Sequence, residues 1–461
     1  MKHYTQHIGR ALLLTASLVA AAAGNAKVPT AYKTPQQREE SKAKEYPELV
    51  TADQLVSNTK VIFVNSGAGV QVTNDSVMGL IGRFYYDQFR HAQDPAAPYF
   101  MFMSKDATMA MGIGGVIRMR GWFDWNGTVP ANGFSPSAIP VPKDPATPRR
   151  MASTPAGTGL FFTILGRNTP IGNYMGYFEA NFDGYNHIDF KLKKAYFTIN
   201  DWTAGYATST FADPAAQTPT IDGSGPNGKA DRTNVLVRYL KTFSKDRWSV
   251  GGSLEFPSSG VTDEAEYTAK GTDWLPDLAA LGQYQWDGGL SHVRLSGLMR
   301  FIPYRDLLTS TNHTVVGWGL QVSSKIKLLP PLTFYAAANI GRGHGSYTGD
   351  MGGSNVDLIA DPDHPGQLYT PTIFGISTGL KYNFKPNLYS CLALSRLGFY
   401  APKGGVPDDQ YRYGLYGALN LFWDITPRFQ VGAEYLIGER MNFSGEHASA
   451  NRIDAFFQLS F

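Results

Sequence analysis

The chain has 461 residues; 43% are hydrophobic, 13% aromatic and 17% charged, with 49 glycines, one cysteine and a formal charge of +3. Low charge with many aromatics excludes a disordered chain, a lone thiol excludes a disulfide scaffold, and near-neutrality carries no nucleic-acid footprint. No run of about 20 apolar residues marks a membrane helix, which leaves one large all-β domain.

Residues 1–26 (MKHYTQHIGRALLLTASLVAAAAGNA) place Lys2 and Arg10 ahead of a short apolar run, Ala11–Ala23, and close on small residues, with Gly24 and Ala26 at the −3 and −1 positions. That is the pattern of a secretory signal peptide. The mature chain is therefore expected to be exported, and its formal charge falls to +1. Cys391 then reads as a small buried hydrophobe. Residues 27–105 read as a periplasmic or linker segment. They hold a charged run at Gln36–Glu45, a short strand at Lys60–Ser66, and a helix near 74–92 with Val77, Leu80, Ile81, Phe84, Tyr85 and Phe89 on one face.

From residue 106 to Phe461 helical spacing disappears and polarity alternates. Sixteen stretches emerge: 107–125, 158–168, 172–183, 187–200, 202–211, 234–243, 247–256, 276–286, 290–302, 313–328, 331–341, 371–384, 387–400, 411–424, 428–440 and 449–461. Their connections alternate between short turns, such as Asn200–Asp201 and Lys385–Pro386, and mostly long loops, such as 126–157, 212–233 and 342–370. The hairpin at Gly184–Tyr185 is the exception, short on the long-loop side. An even strand number with long loops on one rim predicts a 16-stranded antiparallel transmembrane β-barrel in a bacterial outer membrane, over residues 106–461. Closure is required because lipid cannot satisfy an open sheet edge. In the last stretch Ile453, Ala455, Phe457, Leu459 and Phe461 share one face and Arg452, Asp454, Gln458 and Ser460 the other, with Phe456 out of phase.

If the apolar parity faces lipid, the other parity lines the lumen. It carries Arg118, Arg120, Glu179, Lys191, Lys193, Arg238, Arg294 and Arg300, with Glu434 further on. Such side chains either form an electrostatic filter favouring small anions or neutralise one another across the lumen; both readings stand. Lys194 falls on the lipid-facing parity, which is costly near the midplane and places it at a rim or a subunit interface.

Several segments carry a family likeness: Tyr177–Phe182 (YFEANF), Phe190–Tyr196 (FKLKKAY), Gly205–Asp213 (GYATSTFAD), Thr220–Gly228 (TIDGSGPNG), Asn234–Tyr239, and Pro276–Asp277–Leu278 opening a strand after a long loop. From about residue 112 to the C-terminus the chain resembles DcaP-like trimeric outer-membrane porins. The resemblance implies a homotrimer of water-filled barrels, set in outer-membrane lipid and lipopolysaccharide, that pass small and often anionic solutes by diffusion. It also implies that loop 212–233 folds inward to narrow the pore. The sequence permits this, since Asp213, Asp222, Lys229, Asp231 and Arg232 lie around Gly223, Gly225 and Gly228.

Signals of catalysis are weak. Gly375–Gly379 (GISTG) matches a nucleophile elbow, but Ser377 lies inside an alternating strand rather than a strand–turn–helix. Asp350, Asp357, Asp361, Asp363 and His364 do not have the spacing of a calcium loop. No cofactor, metal or nucleic-acid partner is expected. The alternatives to a porin are an outer-membrane lipid-acting enzyme and a plugged structural or adhesive barrel.

Overall fold

The computed structural model describes residues 60–64 and 100–104, then 109–461 apart from 183–188, 245–246, 257–258, 262–266 and 353. The signal peptide, the helix expected near 74–92 and the Gly184–Tyr185 hairpin lie outside the described residues. Sixteen long strands follow one another in chain order. The first eight are β1 (Met109–Trp125), β2 (Gly159–Thr169), β3 (Gly172–Phe182), β4 (Phe190–Ile199), β5 (Trp202–Thr208), β6 (Thr233–Phe243), β7 (Trp248–Glu255) and β8 (Asp277–Trp286). The rest are β9 (Ser291–Asp306), β10 (Thr311–Leu329), β11 (Leu332–Arg342), β12 (Thr372–Lys385), β13 (Leu388–Tyr400), β14 (Tyr411–Asp424), β15 (Phe429–Asn442) and β16 (His447–Ser460).

Each strand pairs antiparallel with the next, and β16 returns to β1 through Asn451↔Trp125 to Ser460↔Val116. The lower half of β1 pairs with β2, from Met109↔Gly166 to Val116↔Gly159, and its upper half with a short strand, Arg149–Thr154, from Arg120↔Thr154 to Trp125↔Arg149. The sixteen strands thus close into a barrel, as a membrane-spanning sheet requires. Phe100–Ser104 pairs with β1 from Phe100↔Ile113 to Met103↔Ala110, and Lys60–Val64, where a short strand is expected, runs parallel to it. Phe461 extends the ladder at the other end through two backbone bonds to Gly115, of 2.7 and 2.9 Å.

The period-two pattern sorts side chains as lipid and lumen demand. Ile453, Phe457 and Leu459 point outward and are 42–49% exposed, whereas Arg452 and Asp454 point inward and are fully buried. Aromatic pairs form a belt at the short-turn rim, where Trp202 meets Tyr239 and Trp248 meets Tyr284 at ring distances of 4.9 and 4.8 Å.

The apolar core lies inside the barrel, between the inner wall and loops that fold into it. Val129, Phe134 and Ile139 of the β1–β2 loop pack on Tyr416, Ala418 and Leu436 of the wall. Met351, Val356 and Ile359 of the β11–β12 loop pack on Ile373, Leu397 and Phe399. Ile221 of the β5–β6 loop sits on Phe422 and Phe456. This last contact accounts for the phase break at Phe456, an inward aromatic that forms a seat for a loop. Cys391 is buried in the same interior.

Candidate functional site

The lumen is crossed by the β5–β6 loop, residues 209–232. Its first turn bonds the wall beside it: Thr210 N–H donates to Glu255 at 2.8 Å, and Gln321 donates to the Phe211 carbonyl at 2.8 Å. Asp213 then accepts from Ser323 at 2.6 Å and lies 2.8 Å from His292 Nε2 and 3.5 Å from Arg294. Further along, the Ile221 and Asp222 amides donate to Glu434 on β15 at 2.9 and 2.7 Å, and Asp222 pairs with Arg120 on β1 at 3.2 Å. The return limb bonds β11 and β13, where Asn339 donates to the Gly228 carbonyl and the Gly228 amide donates to Ser395, at 2.8 and 2.7 Å.

Gly228 passes so close to the wall that a Cβ would stand 2.5 Å from the Arg396 carbonyl oxygen and 2.6 Å from that of Ile376. Both are ladder backbone atoms that cannot swing aside. Gly228→Ala is therefore expected to push the loop off β12 and β13 and to cost about 1–3 kcal/mol, the usual range for overpacking. A lowered urea midpoint of the folded barrel in lipid checks this.

The loop also joins the β11–β12 loop. Ala230 bridges Thr348, Asp231 N–H donates to the Tyr347 carbonyl at 3.0 Å, and Arg232 donates to the Ser346 carbonyl at 2.9 Å. Lys229 and Asp231 pair at 2.8 Å. All five charged loop residues singled out in the sequence are thus placed within the lumen-crossing segment.

Burial alone would raise the pKa of Asp213, yet Arg294 and His292 hold it well below the usual carboxylate range. A carboxylate whose folded value lies below its unfolded value of about 3.9 contributes fully above that pH and loses its contribution as pH falls beneath it. The stability gap between the wild type and Asp213→Asn is therefore expected to be widest near neutrality and to close below about pH 4. Urea titrations of both proteins across that range measure it.

The eight wall residues read from sequence separate into two groups. Arg120, Arg238, Arg294 and Arg300 are buried at 5% exposure or less. Arg120 pairs with Asp222 and Asp454 and also bonds the Asn132 carbonyl. Arg294 bonds Gln283 and the Ala212 carbonyl, Arg300 bonds Asp277, Asp357 and the Gly343 carbonyl, and Arg238 bonds the Thr208 carbonyl. Arg120, Arg294 and Arg300 thus hold loops, and Arg238 holds the end of β5. Arg118 is half-buried, donates to the Ile221 carbonyl at 2.6 Å and lies over the Phe456 ring.

Glu179, Lys191 and Lys193 form the second group, near the long-loop ends of β3 and β4. Lys191 is exposed, and Lys193 bonds Glu179 at 2.6 Å with half its side chain exposed. A β-bulge lies at Lys193: Glu179 pairs with Lys194 and Ala180 with Leu192, so one residue of β4 is skipped. Continuous parity placed Lys194 toward lipid; the bulge reverses it and sets Lys194 opposite lumen-facing Glu179. The wall also carries Lys325, Lys327 and Lys381 on the inward parity of β10 and β12, which the sequence reading passed over. The alternation in 313–328 carries that signal, since Lys325 and Lys327 share a face.

With this geometry in view, the model of the DcaP outer membrane protein family matches residues 100–461. The chain belongs to this family. Its barrel is therefore that of an outer-membrane porin, and its location is the bacterial outer membrane. Among solved structures, the outer membrane channel DcaP of Acinetobacter baumannii is 21% identical with a TM-score of 0.66, covering 78% of this chain and 99% of that one. The anion-selective porin from Comamonas acidovorans is 9% identical with a TM-score of 0.49, over 77% of this chain and 100% of that one. A loop-deletion form of OmpT from Vibrio cholerae is 11% identical with a TM-score of 0.47, over 77% and 100%. No curated protein sequence matches the chain.

Proposed function

We propose that this DcaP-family porin passes small hydrophilic solutes by passive diffusion, prefers anions of carboxylate type, and is not an enzyme. The observation that carries the reading is the tethered loop 209–232, which crosses the lumen of a closed barrel and bonds its inner wall from β1 to β15, so that it narrows the passage. On β3 and β4 the inward charges are Glu179, Lys191, Lys193 and Lys194, with Lys229, Asp231 and Arg232 on the loop. Burial tends to raise the pKa of Asp231, but Lys229 holds it below the usual range, and Lys193 and Lys194 act on it in the same sense. A cationic wall facing a loop carboxylate gives a transverse field with a surplus of positive charge. Export through a signal peptide at 1–26, a periplasmic segment at 27–105, assembly as a homotrimer and contact with lipopolysaccharide complete the proposal.

Reversal potentials in a planar bilayer test it. The wild type is expected to favour anions, and the Lys191→Gln, Lys193→Gln, Lys194→Gln triple variant to shift toward cations. A barrel that folds yet stays electrically silent would favour the plugged alternative. Arg120 and Arg300 are poor probes of selectivity, since their loss leaves buried carboxylates unpaired.

A further inference from the structure

The lipid-facing surface has a cavity of about 620 Å³ at the short-turn rim, lined by Ser244, Arg247, Trp248 and Tyr284. Short turns face the periplasm in outer-membrane barrels, so this cavity lies at the headgroup level of the inner, phospholipid leaflet. Trp248 opens β7 and is 46% exposed, and its ring meets Tyr284 of β8 at 50°. The two rings stand at the apolar end, while the Arg247 guanidinium and Ser244 hydroxyl supply donors at the turn.

Above the cavity the outer surface is unusually low. Register places Val250 beside Gly282, Gly252 beside Ala280, and Ala280 beside Gly297, all on the outward parity of β7–β9. A Cβ at Gly282 would meet nothing within 4 Å, and those at Gly252 and Gly297 would meet only atoms at 3.7 and 3.9 Å. Exposed Tyr239 and Val250 bound this trough on one side, and exposed Leu295 and Leu320 on the other. The trough runs from the cavity into the apolar band.

We infer that this is a specific phospholipid site: the phosphate binds Arg247 and Ser244, the glycerol region packs on Trp248 and Tyr284, and one acyl chain lies over Gly282, Ala280 and Gly252. The cation matches the only charge common to all glycerophospholipids, and a planar guanidinium binds phosphate oxygens two at a time. Aromatic rings with one apolar and one polar edge suit the interface between headgroup and chain. A girdle residue in general contact with lipid needs no adjoining trough.

The test uses the full-length protein in mild detergent, titrated with phosphatidylglycerol brominated on its acyl chains. Tryptophan quenching is assigned to the site by subtracting that of Trp248→Phe. The wild type is expected to bind saturably. Arg247→Gln, which removes the phosphate partner, and Gly282→Leu, which fills the trough from outside the barrel, are each expected to weaken binding about tenfold. Both proteins should keep the heat-modifiable mobility of a folded barrel. Equal quenching in wild type and both variants would overturn the proposal, as would equal quenching by a brominated maltoside detergent, which would show general lipid contact only. Displacement of the lipid by inorganic phosphate would also overturn it, by assigning Arg247 to free phosphate.

Discussion

Replacing residues 209–232 with a two-residue turn is expected to raise single-channel conductance about twofold or more, because the narrowest segment sets the flow through a pore. The exchange is geometrically clean. Thr208 and Thr233 are register partners on adjacent strands, so an Asn-Gly hairpin can join them without moving β5 or β6. Selectivity is expected to move further toward anions. The loop takes away three carboxylates, Asp213, Asp222 and Asp231, and only two cations, Lys229 and Arg232. It also uncovers Arg118, which donates to the Ile221 carbonyl, and Arg120 and Arg294, which pair with Asp222 and Asp213. In the opened lumen these cations become hydrated and face permeating ions. An unchanged conductance in a folded barrel would show that the narrowest point lies elsewhere, in the β1–β2 or β11–β12 loop. An unchanged reversal potential would remove these arginines from the account of selectivity.

The barrel was legible because its signal is local and repeated. Strand parity, turn residues and loop length recur along the chain, and a slip of a few residues at one end does not disturb the rest. The site was less legible, for two physical reasons. First, parity assumes an unbroken pleat. The bulge at Lys193 adds a single residue with no glycine or proline to mark it, and every parity assignment beyond it within the strand reverses, Lys194 included. Second, an inward arginine has the same pattern whether it faces water or a carboxylate. What decides the matter for Arg120 is Asp222, a loop residue 102 positions away, and Asp454, 334 positions away. Arg452 likewise owes its burial to Asp124 and to the Val129 and Ala131 carbonyls. Alternation reports which side of the wall a charge occupies, whereas whether that charge is covered depends on how three long loops fold.

The ion-pair knot around Arg300 is where loss of one side chain should cost most. Its guanidinium bonds Asp277 on β8 at 3.1 Å, Asp357 of the β11–β12 loop at 2.9 Å and the Gly343 carbonyl at 2.7 Å, and lies over the Tyr347 ring. Asp357 also accepts from the Gly260 and Ser346 amides at 2.8 and 3.0 Å. Tyr347 closes the network by donating to Asp277 at 2.9 Å, beside Glu255 and Asn234. Arg300→Met keeps much of the side-chain volume but leaves two buried carboxylates without their cation, a change expected to cost about 3–5 kcal/mol. Most of that cost belongs to the stranded charges. The triple variant Arg300→Met, Asp277→Asn, Asp357→Asn is therefore expected to recover a large share of it, although each carboxylate alone makes good hydrogen bonds. Urea unfolding of the barrel in lipid vesicles gives the comparison. If the triple variant is as unstable as Arg300→Met, the hydrogen bonds to Gly343 and the packing on Tyr347 hold the β11–β12 loop, and the charge pairing is secondary. If it is more stable, the knot exists to fix the loop beside residues 229–232, and its charges trade stability for a defined lumen.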